Sequence, residues 1–552
     1  MNFAFYQAQQ ILFPARPSRL ALQQLELEAD GLRGVSINVW RNHALEPVIA
    51  LARPYLAYAH WDADFRLSDY DDALMFNGHR PADIELLWLD SSRYLDNQSF
   101  DDWLDWLSGR IRALRGAGSA PIIVAAWFNE NSQRAQLQAL ADSMPGVYFA
   151  DPGKVCNEAG VKLTDVRTAA VAGTPVSNAA QPLLARELAC RWLPAAIIPP
   201  IKVVALDLDN TLHAGVLGED GITGVQLTPA HAALQDFIKS LRQRGIFIAL
   251  VSRNERADVE ALFTQREEYP LRWQDFSAIE ISWDDKAVAI DRIARLLRVG
   301  TDAILFVDDN PGEMAGVTAQ LPGIHTVYAG PDAAETQRVI EYYPGLWRWK
   351  AGIDDTKRIQ DMKASAERES LLAGSNDAGA YFRSLQVELT LRGNPADQLD
   401  RLADLCGKTN QFNLALRRFN QAEIAAHLEN PDACVASVQL KDKLSDSGVI
   451  AVIVAERDGD RLVIEELCIS CRALGRQLED AMILEAVRQM PLFAGCREVA
   501  FRVRQGPRNQ PALDWLKRLL RNDTQPGPGL HPVPAGVVQG FVPPDGVTLI
   551  RE

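Results

Sequence analysis

Lys202-Val-Val-Ala-Leu-Asp-Leu-Asp-Asn-Thr-Leu212 is an apolar run that ends in two acidic residues spaced one apart. Alternate residues of a strand share a face, so a strand running on through Asp207 and Asp209 would bury two carboxylates together. A buried face does not accept that without compensation. The strand is therefore expected to end there, with both acids projecting into a polar site at its carboxyl end that holds a divalent cation. Open α/β sheets bind ligands along that edge, and oxygen-only ligation suits Mg²⁺.

Three later positions repeat the pattern. Ser252 follows the apolar run Ile246–Val251, Lys286 opens an amphipathic helix after the strand-like Ala278–Ile281, and Asp308–Asp309 close the apolar Ala303–Val307. All sit at or just beyond expected strand ends. In a parallel sheet those ends lie along one edge, so the residues converge. Phosphoryl transfer needs such a set: a carboxylate nucleophile, a nearby acid/base, a hydroxyl and an ammonium for the phosphate oxygens, and carboxylates for Mg²⁺. A dication between adjacent acids removes much of their mutual repulsion.

This order of motifs resembles the haloacid dehalogenase (HAD) superfamily. The resemblance implies that Asp207 is the nucleophile that becomes an aspartyl-phosphate and Asp209 the general acid/base. Ser252 and Lys286 would hold the phosphoryl group, and Asp308, supported by Asp309, would complete a Mg²⁺ site with Asp207 and the backbone carbonyl of Asp209. Thr211, Asn254 and Asn310 are expected substrate contacts.

Four longer stretches narrow the resemblance to the FkbH-like proteins. They are Leu206-Asp-Leu-Asp-Asn-Thr-Leu-His-Ala-Gly-Val-Leu-Gly-Glu-Asp-Gly221, Phe306-Val-Asp-Asp-Asn-Pro311, Lys408-Thr-Asn-Gln-Phe-Asn-Leu414 and Ser470-Cys-Arg-Ala-Leu-Gly-Arg476. In that family a HAD domain precedes an acetyltransferase-like (GNAT-like) domain, and longer members carry an N-terminal domain similar to SGNH hydrolases. The family takes 1,3-bisphosphoglycerate, removes its phosphates and delivers the glyceryl group as a thioester on an acyl carrier protein, for polyketide and nonribosomal peptide assembly. A thiolate attacking the carbonyl carbon of the acyl phosphate keeps the acyl group activated. Attack by Asp207 on that phosphorus would lose it as free acid, so the expected HAD reaction is hydrolysis of the 3-phosphate ester.

Two positions depart from the family. The cysteine it commonly places before the motif-two serine is Val251 here, and its Trp-Gly after Asn-Thr-Leu is His213-Ala214. Valine forms no thioester, which leaves three routes: direct attack by the carrier thiol, another cysteine such as Cys471, or a different acyl unit. His213 is expected to be a solvated loop residue, with a role as a base the alternative.

Within a first domain over 1–195, residues 30–195 alternate strand and helix signals, with strands at Val35–Trp40, Ile84–Leu89, Pro121–Trp127 and Val147–Ala150. They are expected to form a doubly wound SGNH- or flavodoxin-like α/β domain. It lacks a Gly-Asp-Ser turn, so a non-catalytic platform is expected. A HAD-like Rossmannoid domain follows over 200–350, then a charged, Ala-rich linker helix over 351–383, expected to be solvated. The segment 384–552 strings strands together before its helices, which suggests a GNAT-like α+β domain. There Arg472-Ala-Leu-Gly475-Arg476-Gln477 imitates an acetyltransferase anion-binding turn, and Arg472, Gly475 and Arg476 are candidates to hold a phosphopantetheine phosphate. Lys408–Asn413 is expected to line the same cleft.

The chain of 552 residues carries 57 basic and 72 acidic side chains, a net charge of −15, which argues against general nucleic-acid or acidic-membrane binding. No stretch resembles a signal peptide or a membrane span. Seven scattered cysteines fit reduced thiols in a cytoplasm. Cys468 and Cys471 form a CxxC, but their odd spacing in a strand puts them on opposite faces. Two rivals to carrier loading stay open: a plain Mg²⁺-dependent phosphatase of a small metabolite, and a carrier-binding scaffold with an idle HAD site.

Overall fold

The computed structural model describes residues 3–27, 31–350, 355–373 and 377–552. The described residues form an α/β chain with three sheets. The described residues fall into two compact units, one built from positions up to 350 and the other mainly from those after it.

The first sheet joins β1 (Arg33–Arg41), β2 (Trp61–Tyr70), β3 (Ile84–Trp88), β4 (Ile122–Ala125) and β5 (Val147–Ala150) in the order β2-β1-β3-β4-β5. Every pairing is parallel, a flavodoxin-like order. Inner strands β3 and β4 are buried throughout, as their unbroken apolar text predicts. Edge strand β2 was not expected: in Trp-Asp-Ala-Asp-Phe-Arg-Leu-Ser-Asp-Tyr only Trp61 is fully buried, so no apolar run marks it. At this sheet's switch point the polar groups bond one another. Asn42 accepts the Asp90 N–H at 2.8 Å and donates to the Asp90 carbonyl at 3.1 Å.

The second sheet contains β6 (Val203–Leu206), β7 (Phe247–Ser252), β8 (Ala278–Ile281), β9 (Ile304–Asp308) and β10 (His325–Tyr328), ordered β10-β9-β6-β7-β8. The chain leaves β6 in one direction through β7 and β8, then returns to the other side of β6 with β9 and β10. That reversal opens a crevice past the carboxyl ends of β6 and β9. Edge strand β10 is shielded by the helix Phe3–Leu12, whose Gln9 donates to the Tyr328 carbonyl at 2.9 Å and accepts its N–H at 3.2 Å. Pairing an edge strand's free backbone this way removes a template for aggregation.

The third sheet, in the second unit, joins β11 (Val387–Gly393), β12 (Ala433–Lys441), β13 (Asp446–Asp458), β14 (Arg461–Ile469), β15 (Glu498–Val503), β16 (Gly529–Pro534) and β17 (Val547–Arg551). Its order is β16-β15-β14-β13-β12-β11-β17. Neighbours β11 to β14 pair antiparallel, while β14 and β15 run parallel. The end of the chain, expected to be extended, supplies β16, a short helix Ala535–Gln539 and β17.

One expectation is overturned here. The charged helix Asp355–Ala373 is not solvated throughout: Asp361 and Arg368 are 3% and 4% exposed. Arg368 pairs with Asp442 at 2.8 Å and with Asp361 at 3.1 Å, and Arg476 reaches Asp361 at 2.9 Å and Asp442 at 3.2 Å. Alternating charge reads as a solvent face only until a partner of opposite sign is folded onto it. Among the described residues no helix is long and apolar enough to cross a membrane.

Candidate active site

Leu206 of β6 lies in register with Val307 of β9, and the Asp207 N–H continues the ladder to the Val307 carbonyl at 2.9 Å. Asp207 and Asp308 therefore emerge side by side at the crevice. Lys286, first residue of the helix Lys286–Leu296, reaches in from the segment after β8. Its ammonium donates to Asp207 Oδ1 at 2.7 Å and to Asp308 Oδ2 at 2.6 Å. Asp285 accepts the Ala287 N–H at 2.9 Å, which fixes that helix start. The remaining Asp308 oxygen accepts the Asn310 N–H at 2.7 Å.

Carboxylate oxygens of Asp207, Asp308 and Asp309 lie within 4.8 Å of one another. Three acids thus face one ammonium, and the donor set is oxygen-only. Such a cluster can hold one hard dication, and Mg²⁺ fits it by charge and ligand type. Burial raises the pKa of Asp207, Lys286 opposes that rise and the like charge of Asp308 adds to it. Burial works against the Lys286 charge too, but Asp207 and Asp308 outweigh it and push its pKa up to about 12. Asp309 is also raised, by burial and by Asp308. The site is short of positive charge.

Asp209 stands outside that cluster. Its Oδ1 accepts the Leu217 N–H at 2.9 Å and faces His213 Nε2 at 3.3 Å, while Oδ2 accepts from Asn254 Nδ2 at 2.7 Å. Burial raises its pKa, but the bonds from His213, Leu217 and Asn254 prevail and hold it below the usual carboxylate value. The turn that permits this is tight. Asn210 sits in the left-handed region at φ 52°, which Asn tolerates. At Gly215, φ 99°, a Cβ would lie 2.6 Å from Asp220 Oδ2.

The predicted residues of this half converge, with differences in detail. Asn254 also donates to Ser252 Oγ at 3.0 Å, so one amide ties the Asp209 and Ser252 motifs together. The Thr211 hydroxyl is buried without a hydrogen-bond partner. Asn310, expected as a substrate contact, instead caps the helix Pro311–Gln320: its carbonyl oxygen accepts the Gly312 N–H at 2.9 Å. His213 is fully buried, which overturns the solvated-loop expectation. Its position four residues after Asp209 was the only hint in the sequence. Val251 is an apolar core residue of β7 and offers no nucleophile. A cavity of about 680 Å³ lies elsewhere, beside β5, where Trp349 stacks on Tyr148. The carboxylate chemistry, not cavity size, locates the site.

The C-terminal candidates fare differently. Arg476 is committed to Asp361 and Asp442. The Gly475 N–H donates to Glu479 Oε1 at 3.1 Å, and the helix Glu479–Gln489 carries Glu479 and Asp480 in its first turn. Those acids oppose a phosphate at that helix start. Arg472 is buried as well. Arg476 and the Gly475 N–H are thus both bonded within this unit.

The end of the Lys408–Asn413 stretch is built into the sheet: Phe412 and Asn413 are buried. β14 pairs with β15 only from Arg461 to Ile464, and the two then diverge. Phe412–Leu414 lies in that fork: Ile469 N–H donates to the Phe412 carbonyl at 2.9 Å, Leu414 N–H to Leu467 at 3.2 Å and Arg504 N–H to Leu414 at 2.9 Å. Cys471 is partly exposed, whereas the other six cysteines are buried.

No protein-family model and no curated protein matches the chain. Similar solved structures exist. One is the N-terminal part of a Bacteroides fragilis protein containing a phosphatase domain, complexed with Mg: 18% identity, 63% of this chain, 99% of that one, TM-score 0.46. A Streptomyces avermitilis protein assigned to the HAD hydrolase family shows 16% identity over 27% of this chain and 95% of its own, TM-score 0.20. A hypothetical protein from Xanthomonas campestris shows 16% identity over 30% and 88%, TM-score 0.18.

Proposed function

We propose that the chain is a Mg²⁺-dependent phosphatase that works through a phosphorylated Asp207. The observation that carries this reading is the Lys286 ammonium held between Asp207 and Asp308 at 2.7 and 2.6 Å, with Asp309 beside them, at a sheet switch point. A structural ion pair would need one acid, not three.

Asp207 Oδ attacks phosphorus, the ester oxygen departs and takes a proton from Asp209. Water then attacks the aspartyl-phosphate, gives its proton to Asp209, and the Asp207–phosphorus bond breaks. Lys286 and Ser252 hold the phosphoryl oxygens. Asp207, Asp308, Asp309 and the Asp209 carbonyl would hold Mg²⁺, which supplies charge to the crowded oxygens. The lowered pKa of Asp209 suits the base half of this cycle, and an incoming phosphate dianion pushes it back toward the acid half.

The finer reading rests on the FkbH-like motifs: the substrate is 1,3-bisphosphoglycerate or a similar acyl phosphate, the 3-phosphate is removed here, and the phosphopantetheine thiolate of an acyl carrier protein takes the three-carbon acyl group as the bond to the 1-phosphate breaks and inorganic phosphate leaves. With Val251 inert, direct attack by the carrier thiol is the simplest route, and Cys471 is the alternative acceptor.

Metal-depleted protein is incubated with the acyl phosphate and holo-carrier, with and without Mg²⁺. The full proposal expects Mg²⁺-dependent phosphate release and a carrier heavier by one glyceryl group. Release without carrier acylation leaves the phosphatase alone. Equal product formation by Asp207→Asn would sink both readings in favour of a scaffold.

A further inference from the structure

His213 is a costly residue to keep where it is. It is fully buried, its ring packs edge-on against the buried Tyr269 at 6.1 Å, and its Nδ1 has no hydrogen-bond partner. An unpaired buried ring nitrogen destabilises the fold, and a leucine would fill the space without it. The other nitrogen, Nε2, faces Asp209 Oδ1 at 3.3 Å.

The distribution of donors around Asp209 is uneven. A carboxylate oxygen offers about two lone-pair directions. Both on Oδ1 are engaged, by the Leu217 N–H at 2.9 Å and by His213. Oδ2 carries one donor, Asn254 Nδ2 at 2.7 Å, the same amide that holds Ser252. The oxygen left with a free direction is therefore the one tied to the phosphate-holding serine.

We infer that His213 is a positioning residue: by occupying Asp209 Oδ1 it locks the carboxylate's rotation and makes Oδ2 the oxygen that exchanges protons with the leaving group and the attacking water. This rests on the phosphatase reading. His213 touches no reacting atom; it acts through Asp209. Without it the Leu217 and Asn254 bonds alone hold the carboxylate and one Oδ1 direction falls free, so the proton is delivered less often along the line of the departing oxygen.

Leaving-group dependence tests this. An alkyl phosphate expels a strongly basic oxygen and needs a well-placed proton, whereas p-nitrophenyl phosphate expels a stabilised phenolate and needs it little. His213→Leu removes the donor while keeping the site apolar. His213→Gln places an amide N–H near the former Nε2. Both variants and wild type are assayed with Mg²⁺ on glycerol phosphate and on p-nitrophenyl phosphate. The expected result is a fall in kcat for His213→Leu that is about tenfold larger on the alkyl ester than on the aryl ester, with KM little changed and the gap narrowed by His213→Gln.

Equal losses on the two esters would mean that His213 only packs, and would overturn the inference while leaving the phosphatase intact. So would a glutamine variant as selective in its loss as leucine. If His213→Leu fails to fold, His213→Asn, whose shorter side chain ends near the former Nδ1, takes its place in the same comparison. A wild type inert toward both esters overturns the phosphatase reading and this one with it.

Discussion

Replacing Lys286 by methionine is the sharpest test of the site's charge balance. Methionine nearly keeps the length of the side chain and removes its charge. In the native protein the ammonium contacts Asp207 and Asp308 at 2.7 and 2.6 Å, so the two acid oxygens are no further apart than those contacts laid end to end. At about 5 Å and an effective dielectric of about 20, two like charges repel by about 3 kcal/mol. Removing one partner of a buried ion pair costs about 3–5 kcal/mol, because that repulsion, present in wild type too, is then no longer offset by the ammonium. The metal-free variant should melt roughly 5–10 °C below wild type, on the usual scaling for large domains. Magnesium should reverse much of this. At about a hundred times its Kd, a ligand stabilises the state it binds by about 2.7 kcal/mol. In the variant the dication meets three acids with no competing ammonium, so its stabilisation should exceed that in wild type. The measurement is calorimetry of both proteins in chelator and in Mg²⁺. A chelated variant that melts with wild type, or a larger Mg²⁺ shift in wild type than in the variant, would refute the claim that these carboxylates share one under-neutralised site.

Further substitutions probe the rest of the molecule. Asp308→Asn, at a fully buried oxygen donor, should abolish the Mg²⁺-induced rise in melting temperature and slow phosphate release by at least about a hundredfold, as loss of a charge-stabilising group does. Asp361 has its pKa lowered, because Arg476, Ser445 and Arg368 outweigh the opposing effect of burial. Its folded value lies below the unfolded one near 4, so its stabilisation is complete above that pH and is lost as pH falls through the folded value. The stability gap between wild type and Asp361→Asn, read by urea unfolding, should therefore narrow from pH 5 to pH 3; a constant gap would contradict this. Glu466 is fully buried and accepts N–H groups on both oxygens, from Arg417 at 2.7 Å and from Leu467 at 3.0 Å. In Glu466→Gln, either orientation of the new side-chain amide would turn its NH₂ toward a backbone donor, so a loss of about 1–3 kcal/mol is expected in urea unfolding.

How far a site can be read from a sequence depends on which rule its residues break. Asp207, Asp209 and Asp308 each follow an apolar run, and charges there conflict with burial unless the strand ends at a polar site. Local sequence therefore showed both the strand end and the chemistry. Lys286 and Ser252 became legible only as members of that ordered set, because alone each is an ordinary helix or surface residue. Strand β2 stayed hidden because an edge strand with one wet face has no continuous apolar text. His213 stayed hidden for a different reason. A histidine after Asn-Thr-Leu carries no sign of exposure, and only the packing of Tyr269 closes the pocket around it.

The second unit shows the opposite limit. Arg476 and Gly475 stand at a spacing that suits anion binding, yet their groups are consumed by Asp361, Asp442 and Glu479. Spacing says where a donor is, not whether it is free. The same holds for Lys408–Asn413, whose polar text suggested the lining of a cleft, while the backbone of Phe412–Leu414 supplies the bonds that β14 and β15 cease to give each other beyond Ile464. An open fork would leave the N–H of the buried Ile469 unpaired, and buried backbone donors are almost always paired.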